Sequence, residues 1–173
     1  ARPDEVLVQD FETVPTSAGW SPLAHASALT VTDAFDSRPG TAAQGRFGLE
    51  FTGGAVPTTT SKSLRYTPTK PWDLSGAQAV TLRVNSWGGA PGVPTDGYQV
   101  TLTARSGSSV TSTTVPYKPD QWNDVLLDIS SWAGRSSIDS MDVSFGTSGS
   151  TGQTWSGKFQ VDSLGFRVGG RSL

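Results

Sequence analysis

Two short runs, one near each end of the chain, put carboxylates where a metal ion could use them. Near the N-terminus an apolar strand ends in acid, Val8-Gln9-Asp10-Phe11-Glu12. Near the C-terminus, Phe159-Gln160-Val161-Asp162-Ser163-Leu164-Gly165-Phe166 carries one carboxylate in an otherwise apolar run. A carboxylate among core residues is costly unless it is paired or metal-bound. If the two strands are neighbours, Glu12 and Asp162 could clamp one hard cation. An all-oxygen site suits calcium, which takes roughly six to eight oxygens, several of them backbone carbonyls such as those of Gln44-Gly45-Arg46-Phe47-Gly48. The plainer readings are a solvated strand end for Asp10-Phe11-Glu12, and a turn residue or salt-bridge partner for Asp162. The absence of cysteine and a single histidine argue against zinc.

The catalytic inventory is thin. A Ser-His-Asp triad would depend on His25 alone, the only histidine, and no nucleophile-elbow motif lies near it. Glycosidases need two carboxylates spaced across the scissile bond. Only Glu5, Glu12 and Glu50 are glutamates, and none belongs to an E-x-D-x-x-E strand pattern. Most aspartates occupy turns or strand edges, where they serve local backbone bonds. No phosphate-binding loop or dinucleotide fingerprint occurs.

Aromatic side chains are the other resource. Six tryptophans are generous for 173 residues, and sugars present flat C–H faces that stack on such rings. Most buried tryptophans are packing residues, and Trp20, Trp72, Trp122 and Trp132 read that way. Trp87 differs, because it continues the polar face of the strand carrying Arg83 and Asn85 and is followed by two glycines. Trp155 lies in a Ser/Gly/Thr-rich stretch with little around it to bury it. These two are the candidates for ligand contact.

The elements that position these residues are strands. Val80, Leu82 and Val84 alternate with polar residues, as do Tyr98, Val100, Leu102 and Ala104, and Met141, Val143 and Phe145. Period 2 with one polar face marks half-buried strands. Further strands are expected at 6–12, 29–35, 47–53, 62–68, 109–116, 123–129 and 158–168, separated by Gly/Pro/Asp turns. One short helical turn is expected within 129–134. Stretches 52–61, 88–97 and 147–157 read as surface loops. The expected fold is all-β, an antiparallel sandwich of jelly-roll type. Residues 1–168 form one domain on this reading, and 169–173 a tail or the start of a linker.

Composition narrows the function classes. The formal net charge of −2, with no Lys/Arg cluster, argues against nucleic acid and fits a neutral, hydroxyl-rich ligand better than a polyanion. No run of about 18 apolar residues exists, so no membrane-spanning helix is expected.

The chain resembles the calcium-containing β-sandwich carbohydrate-binding modules attached to secreted polysaccharide-degrading enzymes. The resemblance rests on Asp10-Phe11-Glu12 with Gly19-Trp20, the run Gln44 to Phe51, Pro71-Trp72-Asp73-Leu74-Ser75-Gly76, the Ala79-to-Asn85 strand, Asp120 to Ile129, and Phe159 to Phe166, in that order. It implies a jelly roll of the galactose-binding-domain-like kind and a structural calcium held by Glu12 and Asp162. It also implies glycan binding on a sheet face or at the loops, by a secreted, extracellular and monomeric module joined to a catalytic domain in the same chain. The strand faces carry few aromatics, so recognition is either hydrogen-bond-led, through Arg83, Asn85, Gln99 and Asp142 with Trp87 as platform, or lies in the loops with Trp155. Two other readings stay open. One is a small β-sandwich hydrolase or lyase drawing on Asp142, Asp128, Glu50, His25 or a tyrosine. The other is a protein-interaction domain.

Overall fold

In the computed structural model, which describes residues 5–9, 11, 17–33, 47–87, 97–148 and 153–168, alternation has become two stacked sheets. The strands are β1 (Glu5–Gln9), β2 (Trp20–Ala24), β3 (Ala26–Asp33), β4 (Phe47–Pro57), β5 (Lys62–Tyr66), β6 (Ala79–Trp87), β7 (Tyr98–Ser106), β8 (Ser109–Tyr117), β9 (Asn123–Asp128), β10 (Ser140–Thr147) and β11 (Thr154–Arg167). The first sheet is six-stranded and runs β3-β4-β11-β6-β9, with β1 added beside β11. The second is five-stranded and runs β2-β5-β10-β7-β8. Every pairing of these strands is antiparallel.

The apolar half of each alternating strand meets between the sheets. Val80, Leu82 and Val84 of β6, Leu49 and Phe51 of β4, and Phe159 and Val161 of β11 face Leu64 of β5, Val100 and Leu102 of β7, and Val143 and Phe145 of β10 in one buried cluster. Phe145 lies 5.0 Å from Phe159, and Phe159 stacks on Phe51 at 5.2 Å. Each such side chain removed from water stabilises the fold by about 1.5–3 kcal/mol, so the core fixes the strand register and with it which residues face outward.

The two end strands are neighbours: Val6 stands opposite Phe166, and Gln9 opposite Leu164. Within β11 the register slips between Asp162 and Gly165, where Ser163 adopts a φ of 55°. That bulge lets β11 keep β6 on one side along its length while its other side passes from β4 to β1.

Three expectations need correction, and one strand was not expected. The unexpected strand is Trp20–Ala24, pairing with β5 at the sheet edge; Pro22 hides it, because proline is confined to edge strands and bulges. The stretch 52–61 is not all loop, since β4 runs on to Pro57 and β5 begins at Lys62. The stretch 147–157 is not all loop, since β11 begins at Thr154. The helical turn falls slightly later than expected, as a 3-10 turn at Ala133–Ser136.

Candidate functional site

The residues singled out from sequence divide between opposite sides of the sandwich. Arg83 and Asn85 project from the outer face of the first sheet, because Val80, Leu82 and Val84 take the inward positions of β6. Gln99 and Asp142 project from the outer face of the second, opposite in parity to Val100 and Val143. A single groove using Arg83, Asn85, Gln99 and Asp142 together is therefore ruled out by topology. Parity within one strand is a local property; membership of a sheet is not.

On the first sheet the polar side chains are buried. Glu50, Gln160 and Asn85 stand in one cross-strand row and are 2%, 0% and 5% exposed. Gln160 Nε2 donates to Glu50 Oε2 at 2.8 Å, and Asn85 Oδ1 accepts the Ser86 N–H at 2.8 Å. Arg83 donates through Nε to Asp124 Oδ1 at 3.0 Å, its side chain only 13% exposed. Asp162 stands opposite Arg83 in register. It is fully buried, and its Oδ1 accepts the Ser163 N–H at 2.7 Å. The side chain of Trp87 and all of Glu12 lie outside the described residues, as do 44–46 and 169–173. Among the described residues, no group of three or more His, Cys, Asp or Glu side chains comes together as a metal cluster. Asp162 is nonetheless a buried carboxylate of the kind a calcium ion needs, at the bulge where β1 meets β11.

The outer face of the second sheet is organised around Asp142. Arg65 of β5 stands directly opposite it and donates Nε to Oδ1 at 2.7 Å and Nη2 to Oδ2 at 3.0 Å. Arg105 of β7 reaches across diagonally, donating Nε to Oδ2 at 2.9 Å. Burial pushes the Asp142 carboxyl up, but the bonds and charges of the two guanidiniums outweigh it and hold the group below the usual aspartate value. Asp142 is 5% exposed, whereas the side chains of Arg65 and Arg105 are 35% and 37% exposed. Around this cluster stand Ser63, Ser144, Thr101 and Thr114 in one row, with Thr101 and Thr114 sharing a hydroxyl bond of 2.7 Å. Gln99 lies one step along β7, opposite Gly146. No aromatic residue projects from this face among the described residues: Tyr66 and Tyr98 both take inward positions. Sequence parity marks Arg65 and Arg105 as outward; nothing local shows that they converge on Asp142.

Trp155 requires the clearest correction. It is 1% exposed, set edge-on to Phe159 at 5.6 Å and beside Tyr98 at 6.1 Å. Its indole N–H donates to the Thr60 carbonyl at 3.2 Å. One face is covered by Lys62, whose Nζ lies 4.2 Å from the ring centroid. No face is open to a sugar. Lys62 points inward with Leu64 and is itself fully buried, with no hydrogen-bond partner for Nζ. Burial pulls its ammonium down to about 8. A half-buried aromatic does line a groove of about 360 Å³ elsewhere, where Trp72 stands with Val8, Lys70, Asp73 and Phe166.

Among the described residues, the acids that a hydrolase would draw on do not assemble into a hydrolytic pair. Glu50 and Asp142 lie on opposite outer faces, so they cannot flank one glycosidic bond. Asp142 has both oxygens taken and its carboxyl lowered, the reverse of what a general acid needs. Asp128 is exposed and accepts from Ser130, and His25 is an exposed bend residue with a φ of 52°.

No family model matches the sequence, and no curated protein does so. Solved structures do match its fold. An exo-β-agarase superposes with a TM-score of 0.66 at 13% identity, over 93% of this chain and 25% of that one. A family 28 carbohydrate-binding module specific for non-crystalline cellulose gives 0.62 at 15% identity, over 94% and 93% of the two chains. A family 11 carbohydrate-binding module of Clostridium thermocellum, in complex with a mixed-linked β-1,3-1,4 tetrasaccharide, gives 0.54 at 20% identity, over 96% and 97%. The chain thus spans about a quarter of the agarase and nearly all of each module. At these identities the likeness establishes the fold, the antiparallel β-sandwich jelly roll that the alternation predicts.

Proposed function

We propose that this chain is a non-catalytic carbohydrate-binding module that holds an appended enzyme on a polysaccharide, with the outer face of the second sheet as its ligand face. The observation that carries the proposal is the Arg65–Asp142–Arg105 cluster, preorganised on a hydroxyl-rich sheet face whose charged tips stay in solvent. Two further observations support it. Full-length neighbours of the same fold are carbohydrate-binding modules, and the agarase match covers one quarter of a longer enzyme. Recognition on this face is hydrogen-bond-led, through Arg65, Arg105, Gln99 and the Thr and Ser hydroxyls, with Asp142 positioning the two guanidiniums rather than meeting the ligand itself.

Tethering raises the local concentration of polymer at an attached catalytic site without speeding the chemistry. Modest affinity serves that purpose, roughly −4 to −8 kcal/mol, or millimolar to micromolar. The module is secreted and monomeric on this reading, and Glu12 and Asp162 hold a structural calcium between the first and last strands, away from the ligand face. When bound, the ion would neutralise the buried Asp162 carboxylate.

The test is affinity gel electrophoresis against β-1,3- and β-1,4-glucans, mixed-linkage glucan, xylan, mannan, pectin and hyaluronan. Retardation by at least one polymer, without release of reducing ends or unsaturated products, is expected. Retardation by none, or product release, overturns the reading.

A further inference from the structure

Resting on that reading of the second sheet's face, we infer that its ligand is a glycan bearing an anionic group, a carboxylate or a sulfate ester, which the forks of Arg65 and Arg105 engage. Around Asp142, donors outnumber acceptors. A guanidinium carries five N–H groups and accepts nothing. Arg65 uses two of its donors on Asp142 and Arg105 one. Those three bonds occupy both carboxylate oxygens, and no other acceptor among the described residues takes the remaining donors. A further carboxylate whose charge reaches Arg65, Asp139, already accepts the Gly107 N–H at 2.7 Å and the Ser140 hydroxyl.

The face also lacks an aromatic platform among the described residues. Where no ring covers the apolar face of a sugar, affinity must come from polar contacts. A charge-assisted hydrogen bond is roughly twice as strong as a neutral one. A planar fork meets a carboxylate or sulfate with two parallel bonds, which a single sugar hydroxyl cannot return. Asp142 fixes the forks before the ligand arrives, so little side-chain freedom remains to be lost on binding. The formal net charge of −2, which by itself favours a neutral ligand over a polyanion, is a property of the whole chain; exposed charges beyond about 8 Å are screened at physiological salt, so the local cluster decides. It does mean that polyanion binding would be local to this cluster rather than a bulk effect.

Affinity electrophoresis on matched polymers tests the inference: polygalacturonate against fully methyl-esterified pectin, sulfated galactan against the desulfated polymer, and neutral β-glucan and galactan. We expect retardation by a charged polymer and at least a tenfold weaker dissociation constant for its neutralised partner. Arg105→Gln and Arg65→Gln should each lose at least tenfold, Arg105→Lys should lose most of that through the missing fork, and Lys158→Gln on the opposite face should bind as the parent does. Whether polygalacturonate or sulfated galactan is retarded names the anion. Equal retardation by charged and neutral partners would overturn the anionic class and leave the polysaccharide reading standing. Retardation that survives both Arg→Gln changes, in variants with the parent's melting temperature, would overturn the assignment to these forks. No retardation by any polymer would overturn both readings.

Discussion

On the outer face of the first sheet a central row of polar side chains is buried, with Gln160 donating to Glu50; on that of the second the charged side chains stand half-exposed around one fixed carboxylate. Glu50, Gln160 and Asn85 are at most 5% exposed, whereas Arg65 and Arg105 keep more than a third of their side chains in solvent. The buried Gln160–Glu50 bond in that row contributes to stability and register. A row left open with unbonded donors is positioned for something else to bond. The two faces therefore predict opposite phenotypes for changes that look alike in sequence.

The largest effect should fall on the sealed face. Glu50→Ala leaves Gln160 Nε2 buried without its acceptor, at a cost of about 2–3 kcal/mol. Urea unfolding should show that loss while glycan retardation stays unchanged. A variant that binds poorly yet unfolds normally would break the contrast.

Next comes the lysine between the two sheets. Gly53 makes room for it: a β-carbon there would collide with Lys62 Cδ and the Phe159 ring. The unpaired ammonium titrates near 8 when folded and near its ordinary value when unfolded. The folded state thus disfavours the charged form, and stability should rise between about pH 8 and pH 10.5 and stay flat below pH 8. Lys62→Met should remove that slope and stabilise the protein at pH 7 by about 2 kcal/mol, the cation–π contact with Trp155 offsetting part of the gain. A slope that persists in Lys62→Met would assign it to another group.

A smaller effect, on binding first, belongs to the open face. Asp142→Asn releases both forks and should weaken retardation about tenfold, near 1.4 kcal/mol, while costing less stability than Glu50→Ala. The pH dependence has the opposite sign to that of Lys62. The folded Asp142 carboxyl is held below its unfolded value of about 4, so its contribution is complete above that pH and lost as pH falls through the folded value. Binding should weaken over the same acid range. The smallest effect is expected from chelation: excess EDTA should lower the melting temperature by a few degrees if Glu12 and Asp162 hold calcium. An unchanged melt with no metal by elemental analysis would remove the ion from the account.

What the sequence made legible follows from what is local. Alternation places Lys62 inward with Leu64 and Arg65 outward with Ser63, and it places Arg83 and Gln99 each on a polar face. It does not say that β6 and β7 belong to different sheets, and so four residues that read as one groove became two faces. Trp155 reads as exposed because its neighbours are Ser, Thr and Gly; its cover comes from Lys62 and Tyr98, 93 and 57 positions away in the chain. The apolar runs of the end strands raised their pairing only as a condition, which the structure meets, whereas the Arg65–Asp142–Arg105 convergence depends on β10 lying between β5 and β7.

The most direct test of the central claim is amide chemical-shift mapping of the labelled protein during titration with mixed-linkage glucan, galactan and galacturonate oligosaccharides. The account predicts that the polymer-class partner moves the amides of Ser63, Thr101, Thr103, Asp142 and Ser144 on the second sheet. Shifts confined to the outer residues of β4, β6 and β11, or to the groove beside Trp72, would contradict it.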